Sequence, residues 1–356
     1  MPVSLRVVLD QVVHPTNDDL RGVARDLTRA LIATAPVGCR VEGIAPVEDG
    51  IDVDGLFNVT AAKHMRRDWP LGFVRGSARG IVHSPTLLAP LMAHDRVNDG
   101  DQTVVSVWDL SPWVSVAERN AQGASRQRGL LRRAARYADA IVVPTHAMAD
   151  ELSSYANVDD RLRVIPGAVE LDFAAPIDSG ARRIGAGLPE RFAATSGGTA
   201  DADGLLAALS AIAATDLAAA VLDVPTGQED GVAELAQAAG LSPDRVVTLG
   251  PLARADRAAV ISEAAAFVAG GTRTAWPWRA VEAMSLAVPL VAVDSPVHRE
   301  VIYDGGLFVA AEDLGEALRT ALGSGRERLS VLGHDRSRAF TWAGAAEKVW
   351  HLHADL

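Results

Sequence analysis

Along the chain, short continuous apolar runs alternate with longer segments whose apolar positions recur at helical spacing, and this alternation predicts βαβ units and parallel sheets. In the first half the runs fall at 6–13, 41–47, 80–83, 103–108, 140–143 and 162–165. In the second half they fall at 191–194, 219–224, 245–249, 265–269, 289–293 and 307–309. The runs show no clear polar/apolar alternation, so each sheet is expected to be covered on both faces. Six runs per half predict an α/β chain of two Rossmann-like, doubly wound domains facing each other across a cleft. Pro166-Gly167, Pro176 and Ser179-Gly180 interrupt the pattern and mark the join. The expected division is 1–172, 173–335 and a closing segment 336–356. That segment belongs to a helix over 333–355 which carries Phe340, Trp342, Trp350 and Leu352 and crosses back to the first domain.

Length agrees with two cores, because 356 residues exceed what one usually supports. A net charge of −11 argues against a general nucleic-acid binder, which would present a basic field to phosphates. The single Cys39 forms no internal disulfide and reads as buried filler, pointing to a reducing, cytoplasmic home. The first residues lack a signal-peptide pattern, and no run approaches the ~20 apolar residues of a membrane span. Nine scattered His show no metal-ligand spacing, so no metal and no cofactor is expected; His351 and His353 read as surface residues.

Ligands of parallel α/β sheets sit at the carboxyl ends of the strands, which directs attention to the loops. The first loop, 13–22, leads into a helix over 23–31. Arg21-Gly22 at its start would offer free N–H groups to an anion, with an ordinary loop as the competing reading.

Three segments resemble glycosyltransferase family 4, the retaining, nucleotide-sugar-dependent enzymes of GT-B fold. Ala138-Asp139-Ala140-Ile141-Val142-Val143-Pro144-Thr145-His146-Ala147, followed by Leu162-Arg163-Val164-Ile165-Pro166-Gly167-Ala168-Val169-Glu170, is similar to the last strand, capped helix and entry to the linker of the family's first domain. Thr145 there joins the donor-binding candidates, although a helix N-cap role accounts for it equally. Val82-His83-Ser84-Pro85 and Val104-Val105-Ser106-Val107-Trp108-Asp109-Leu110 resemble the loop in which the family carries a His facing the sugar; Trp108 stands in its place. Val281-Glu282-Ala283-Met284-Ser285-Leu286-Ala287-Val288-Pro289 resembles the donor signature of two Glu separated by seven residues. The resemblance gives Glu282 the ribose hydroxyls, and a carboxylate suits two neighbouring donors.

The chain departs from the family at the other half of that signature. Thr274 occupies the first Glu position, and the glycine-rich turn becomes Ala275-Trp276-Pro277-Trp278-Arg279, in which Pro277 has no N–H to offer. No Arg or Lys occurs between Arg191 and Arg245, where the family carries the cations that meet the leaving diphosphate. Arg273, Arg279, Arg254 or Arg299 would supply that charge from other loops, and Gly197-Gly198 would let backbone amides approach a phosphate. The donor set is therefore Arg21, Gly22, Thr145, Gly197, Gly198, Leu252, Thr274, Ala275, Trp276 and Glu282. Trp108, Asp109, Arg273 and Arg279 are the candidates near the chemistry.

A second basic region mixes cations with apolar groups: Lys63-His64-Met65-Arg66-Arg67-Asp68-Trp69-Pro70-Leu71-Gly72-Phe73-Val74-Arg75, with Arg126, Arg128, Arg132, Arg133 and Arg136 on a later helix. It reads first as a solvated helix face and an ordinary loop, with contact to anionic lipid at the inner face of the membrane as the competing reading. The resemblance implies sugar transfer with retention to a glycan or lipid-linked acceptor in cell-envelope polysaccharide synthesis, with a nucleotide-sugar as substrate. The alternative is a catalytically degenerate binding module that accompanies an active glycosyltransferase. A sugar-nucleotide epimerase has no residues that call for it, and no Gly-x-Gly-x-x-Gly follows the first strand to favour nicotinamide chemistry.

Overall fold

The structure is a computed structural model that describes residues 3–47, 50–74, 80–95, 100–114 and 123–356. The chain divides into two compact units: 1–167 with 274–276 and 340–356, and 168–273 with 277–339. Each contains one all-parallel sheet.

The first sheet has seven strands: β1 (Val3–Val8), β2 (Cys39–Ala45), β3 (Val59–Ala61), β4 (Ile81–Ser84), β5 (Gln102–Ser106), β6 (Ala140–Val143) and β7 (Leu162–Val164). Their order is β3-β2-β1-β4-β5-β6-β7, so the winding reverses between β1 and β4. All four residues of β6 are buried, the sign of a strand covered on both faces. Two expectations need correction. The run 6–13 is not one strand: β1 ends at Val8, and Asp10–Val13 turns into a short helix. β3 escaped the periodicity because Val59-Thr60-Ala61 holds one large apolar residue between Asn58 and Lys63, too little for an apolar run.

The helix after the first loop spans Asp18–Ala33 rather than starting at Val23, because Asn17 caps it, its Oδ1 accepting from Leu20 N at 2.8 Å. It buries Val23, Ala24, Leu27 and Leu31. The closing helix is Trp342–Asp355, capped by Thr341 Oγ1, which accepts from Gly344 N at 3.1 Å. The single helix expected over 333–355 is two, since Arg326–Ser337 ends before the Thr341 cap and clusters with the second unit. The closing helix packs on Asp18–Ala33, and Trp350 Nε1 donates to Leu31 O at 3.2 Å.

The second sheet has six strands: β8 (Phe192–Ser196), β9 (Ala218–Leu222), β10 (Val246–Thr248), β11 (Phe267–Ala269), β12 (Leu290–Val293) and β13 (Leu307–Val309). The order β10-β9-β8-β11-β12-β13 reverses between β8 and β11. Its core joins Ala193, Val221, Val268 and Val291 of the sheet to Leu209, Ile212, Leu314 and Leu318 of the helices. A close backbone approach sits at the reversal. Gly204, at φ +60°, opens the Leu205–Ala213 helix, and any Cβ there would be driven into the carbonyl of Gly270. In both units the fold thus directs a ligand to the carboxyl ends flanking one reversal point.

Candidate functional site

At the carboxyl end of β8 the chain passes through Gly197, at φ +123°, and Gly198. The Gly198 N–H donates to Asp203 Oδ2 at 2.7 Å, and Arg273 Nε donates to Asp203 Oδ1 at 2.5 Å. The glycine turn and a cation therefore do converge, as an anion site requires, but the anion already between them is the carboxylate of Asp203. Thr199 N and Oγ1 both donate to Gln228 Oε1, at 2.8 and 3.1 Å, which pins the turn from the other side.

Glu282 lies on the Trp278–Ser285 helix and is 3% exposed. Its Oε1 accepts from Arg257 Nε at 3.0 Å and Arg279 Nη1 at 2.9 Å, and its Oε2 from Arg257 Nε at 3.2 Å. The network extends outward on both sides. Arg257 Nη2 donates to Glu170 Oε2 at 3.0 Å and its Nη1 to Leu252 O at 3.1 Å, while its guanidinium lies 5.5 Å above the Phe173 ring. Arg279 Nε donates to Asp223 Oδ2 at 2.6 Å. Asp223 closes β9 in the left-handed region, φ +58°, which Asp tolerates better than most residues. Three carboxylates and two guanidinium groups thus share one cluster around the buried Glu282, Arg257 and Arg279, with Glu170 and Asp223 at its partly exposed rim.

Sequence reasoning missed Arg257 and Asp223, and it placed Glu170 only at the entry to the linker, with no part in this cluster. Arg257 sits on the Arg254–Glu263 helix beside the buried Ala258, Ala259, Val260 and Ile261, so a cation inside an apolar stretch was the available signal. Two other cations proposed for the diphosphate are engaged elsewhere: Arg299 pairs with Asp294, and Arg254 donates to Leu171 O.

In the first unit, Trp108, Asp109 and Thr274–Trp276 come together. Asp109 and Ala275 form an antiparallel bridge, Leu110 N donates to Thr274 O at 3.0 Å, and Trp276 N donates to Trp108 O at 3.1 Å. The segment assigned by sequence to the second domain is therefore a short ribbon on the first. Trp108 is buried with Nε1 donating to Pro85 O at 2.8 Å, and Trp276 meets Phe340 edge-on at 5.2 Å. Asp109 is exposed at its surface, with Oδ1 accepting from Ser111 N and Oγ at 2.7 and 2.5 Å. Trp108 and Trp276 are thus packing groups.

The remaining candidates stand apart from this ribbon. Arg21 is in the first turn of the Asp18–Ala33 helix, paired with Asp18 at 3.1 Å, and Gly22 is buried one residue further in. The free amides of that helix lie beside Asp18 and Asp19, so an anion there would meet two acidic side chains. Thr145 is 1% exposed and caps the His146–Ser153 helix, accepting from Met148 N at 3.1 Å. His353 is buried rather than on the surface: its ring is 5.6 Å from that of His83, its Nδ1 is 3.1 Å from Gln102 Oε1, and burial pushes it down to about 4. Cys39 is partly exposed, not buried filler.

Several arginines of the expected basic face hold backbone carbonyls instead: Arg128 reaches Pro112 O at 3.1 Å and Arg133 reaches Leu91 O at 2.5 Å. Leu71 and Phe73, which follow Arg66 and Arg67 in sequence, are exposed, and Arg75 lies outside the described residues. Among the described residues no group of three His, Cys, Asp or Glu could hold a metal ion, and no helix is long and apolar enough to cross a membrane.

Comparison with known proteins gives the same two-part picture. The Glycosyltransferase Family 4 model matches residues 23–173, and the Glycosyl transferases group 1 model matches residues 196–324. The fold is similar to that of HepE from Anabaena, solved in complex with UDP and glucose, at a TM-score of 0.70 and 15% identity over 99% of this chain and 100% of that one. Sucrose-phosphate synthase from Thermosynechococcus elongatus superposes with a TM-score of 0.67 and 16% identity over 99% and 98% of the two chains. WaaG, a glycosyltransferase involved in lipopolysaccharide biosynthesis, does so at 0.66 and 14% over 97% and 98%. No curated protein matches the chain in sequence.

Proposed function

The chain belongs to the glycosyltransferases of family 4 and group 1, and from that premise we propose that it moves a sugar from a nucleotide-sugar donor to a glycan or lipid-linked acceptor with retention of configuration. The observation that carries the reading is Glu282. At the position where the family signature meets the ribose, Arg257 and Arg279 hold this carboxylate fixed in one place. The second unit takes the nucleotide, and the first takes the acceptor. No protein nucleophile or metal is needed, because the leaving phosphate accepts the acceptor proton on the face where the new bond forms. HepE, which shares the fold, was solved with UDP and with UDP-glucose. WaaG serves lipopolysaccharide synthesis, and a cell-envelope role on the cytoplasmic side of the membrane fits the exposed Leu71 and Phe73 beside Lys63 and Arg67.

A second reading is favoured by Asp203, which fills the anion position of the Gly197-Gly198 turn. On this reading the chain has lost transfer and serves an active partner transferase. The deciding experiment is calorimetric titration with UDP, GDP, ADP and dTDP, followed by assay of the matching donor sugars. One nucleotide is expected to bind at micromolar affinity and to weaken at least tenfold, about 1.4 kcal/mol, in Glu282→Gln. A protein that binds none of the four, and neither hydrolyses nor transfers any donor, leaves only the partner reading.

A further inference from the structure

The carboxyl end of β1, at the reversal point of the first sheet, holds a cluster that the donor reading does not use. Asp10 follows β1 directly and is 1% exposed. Its Oδ2 accepts from Gln11 Nε2 at 2.7 Å, and Gln11 Oε1 accepts from Thr16 N at 2.7 Å, which ties the carboxylate to the loop before the Asp18–Ala33 helix. The other oxygen, Oδ1, is buried and has no hydrogen-bond partner. Two cations frame it. Arg66 Nη1 donates to His14 O at 3.0 Å, and Arg126 Nη2 donates to Arg66 O at 2.6 Å.

The charges at this point do not balance as they do in the second unit. Among the described residues neither Arg66 nor Arg126 forms an ion pair with a carboxylate. Desolvation and then the neighbouring Arg66 charge depress the Arg126 guanidinium, so two like charges are held together. Burial pushes Asp10 up to about 6, against the opposing pull of Gln11 and of both arginines. A buried carboxylate with an unused lone-pair site, beside guanidinium groups with unused donors, asks for a ligand that presents an anion and a hydroxyl together. Paired guanidinium forks match a tetrahedral dianion better than a single carboxylate.

Resting on the transferase reading above, we propose that this cluster is the acceptor subsite, and that the acceptor carries a phosphoryl group, held by Arg66 and Arg126, together with a hydroxyl that donates to Asp10 Oδ1. The location agrees with the rule that places ligands at the reversal point of a doubly wound sheet. It also gives a purpose to a carboxylate that is buried against its own preference.

The test is calorimetric titration of the full chain, without nucleotide, using glycerol 1-phosphate and inorganic phosphate, with sedimentation of phosphatidylcholine vesicles with and without phosphatidylglycerol as a parallel arm. The ester is expected to bind below millimolar concentration and more tightly than inorganic phosphate. Arg126→Gln weakens it at least tenfold, Asp10→Asn removes its advantage over inorganic phosphate, and both variants keep the wild-type affinity for UDP. Sedimentation with phosphatidylglycerol vesicles that Arg126→Gln abolishes, without binding of the soluble ester, places the phosphoryl group on a lipid. The proposal fails if the wild type binds neither probe, or if Arg126→Gln binds both as the wild type does. UDP binding with neither ester nor vesicle binding overturns this subsite alone; ester or vesicle binding without any nucleotide overturns the donor reading alone.

Discussion

The two reversal points face the same problem, cations gathered at the carboxyl ends of a parallel sheet, and they handle it in opposite ways. In the second unit Arg257, Arg273 and Arg279 each meet internal carboxylates, those of Glu170, Glu282, Asp203 and Asp223. In the first unit Arg66 and Arg126 donate to carbonyls, and Asp10 keeps an unpartnered oxygen. In the second arrangement every guanidinium already has a carboxylate partner, so its charged groups brace one another. In the first, neither guanidinium is ion-paired among the described residues, which is what the proposed phosphoryl site requires. An arginine at a strand's carboxyl end is therefore informative only once its carboxylate partners are known.

The strongest way to break this comparison is to open the closed side. Glu282→Ala removes the carboxylate shared by Arg257 and Arg279 and leaves both guanidinium groups buried with fewer partners. A loss of about 3–5 kcal/mol is expected, because one partner of a buried ion network cannot be deleted without stranding the other. Urea unfolding measures it, and Glu282→Gln, which preserves shape and part of the hydrogen bonding, loses less. If Glu282→Ala unfolds at the wild-type urea concentration, the cluster is not the structural keystone its geometry implies.

The next effect has the opposite sign. Asp10 titrates near 6 in the folded state and near 3.8 in the unfolded chain, so the native state binds the extra proton. Native stability is unpenalised below about 4, falls as pH rises from there to about 6, and stays lowered above it. At roughly 1.4 kcal/mol per pKa unit, the full penalty is about 3 kcal/mol. Asp10→Asn is expected to melt above the wild type at pH 8 and to match it near pH 4. A melting curve for Asp10→Asn that runs parallel to the wild type from pH 4 to 8 would show that the carboxylate carries no strain.

Much of this architecture was legible beforehand, and the exceptions have physical causes. Among the described residues apolar runs located every strand but β3, because parallel strands are continuously hydrophobic; Val59-Thr60-Ala61 holds a single large apolar residue and carries no such signal. The helix boundary at Asn17 and the break before Thr341 depend on caps, which local composition announces only weakly. Glu282 was singled out by motif, but its partners Arg257, Glu170 and Asp223 lie 25, 112 and 59 residues away from it in sequence, and only the fold gathers them. Trp276 illustrates the converse, since an indole expected at a ligand is packed against Phe340. Asp10 looked like an interruption of a strand, and nothing in its neighbours announced that both arginines would converge on it.

The smallest effect is the most discriminating. Asp203→Asn weakens the contacts that a full carboxylate makes to Gly198 N and Arg273 Nε, and it is expected to destabilise the second unit by about 1–2 kcal/mol. The same exchange of Asp for Asn thus stabilises the first reversal point and destabilises the second, a contrast that thermal melts at pH 8 read directly. Ligand affinity sharpens it further. Removing the internal anion leaves the Gly197-Gly198 amides and Arg273 to an external one, so Asp203→Asn should bind the cognate nucleoside diphosphate several-fold more tightly if that turn receives the diphosphate. Unchanged affinity in a variant that has lost the expected stability would mean that Asp203 only braces the turn. The diphosphate, if it binds, would then lie elsewhere along the carboxyl ends of this sheet.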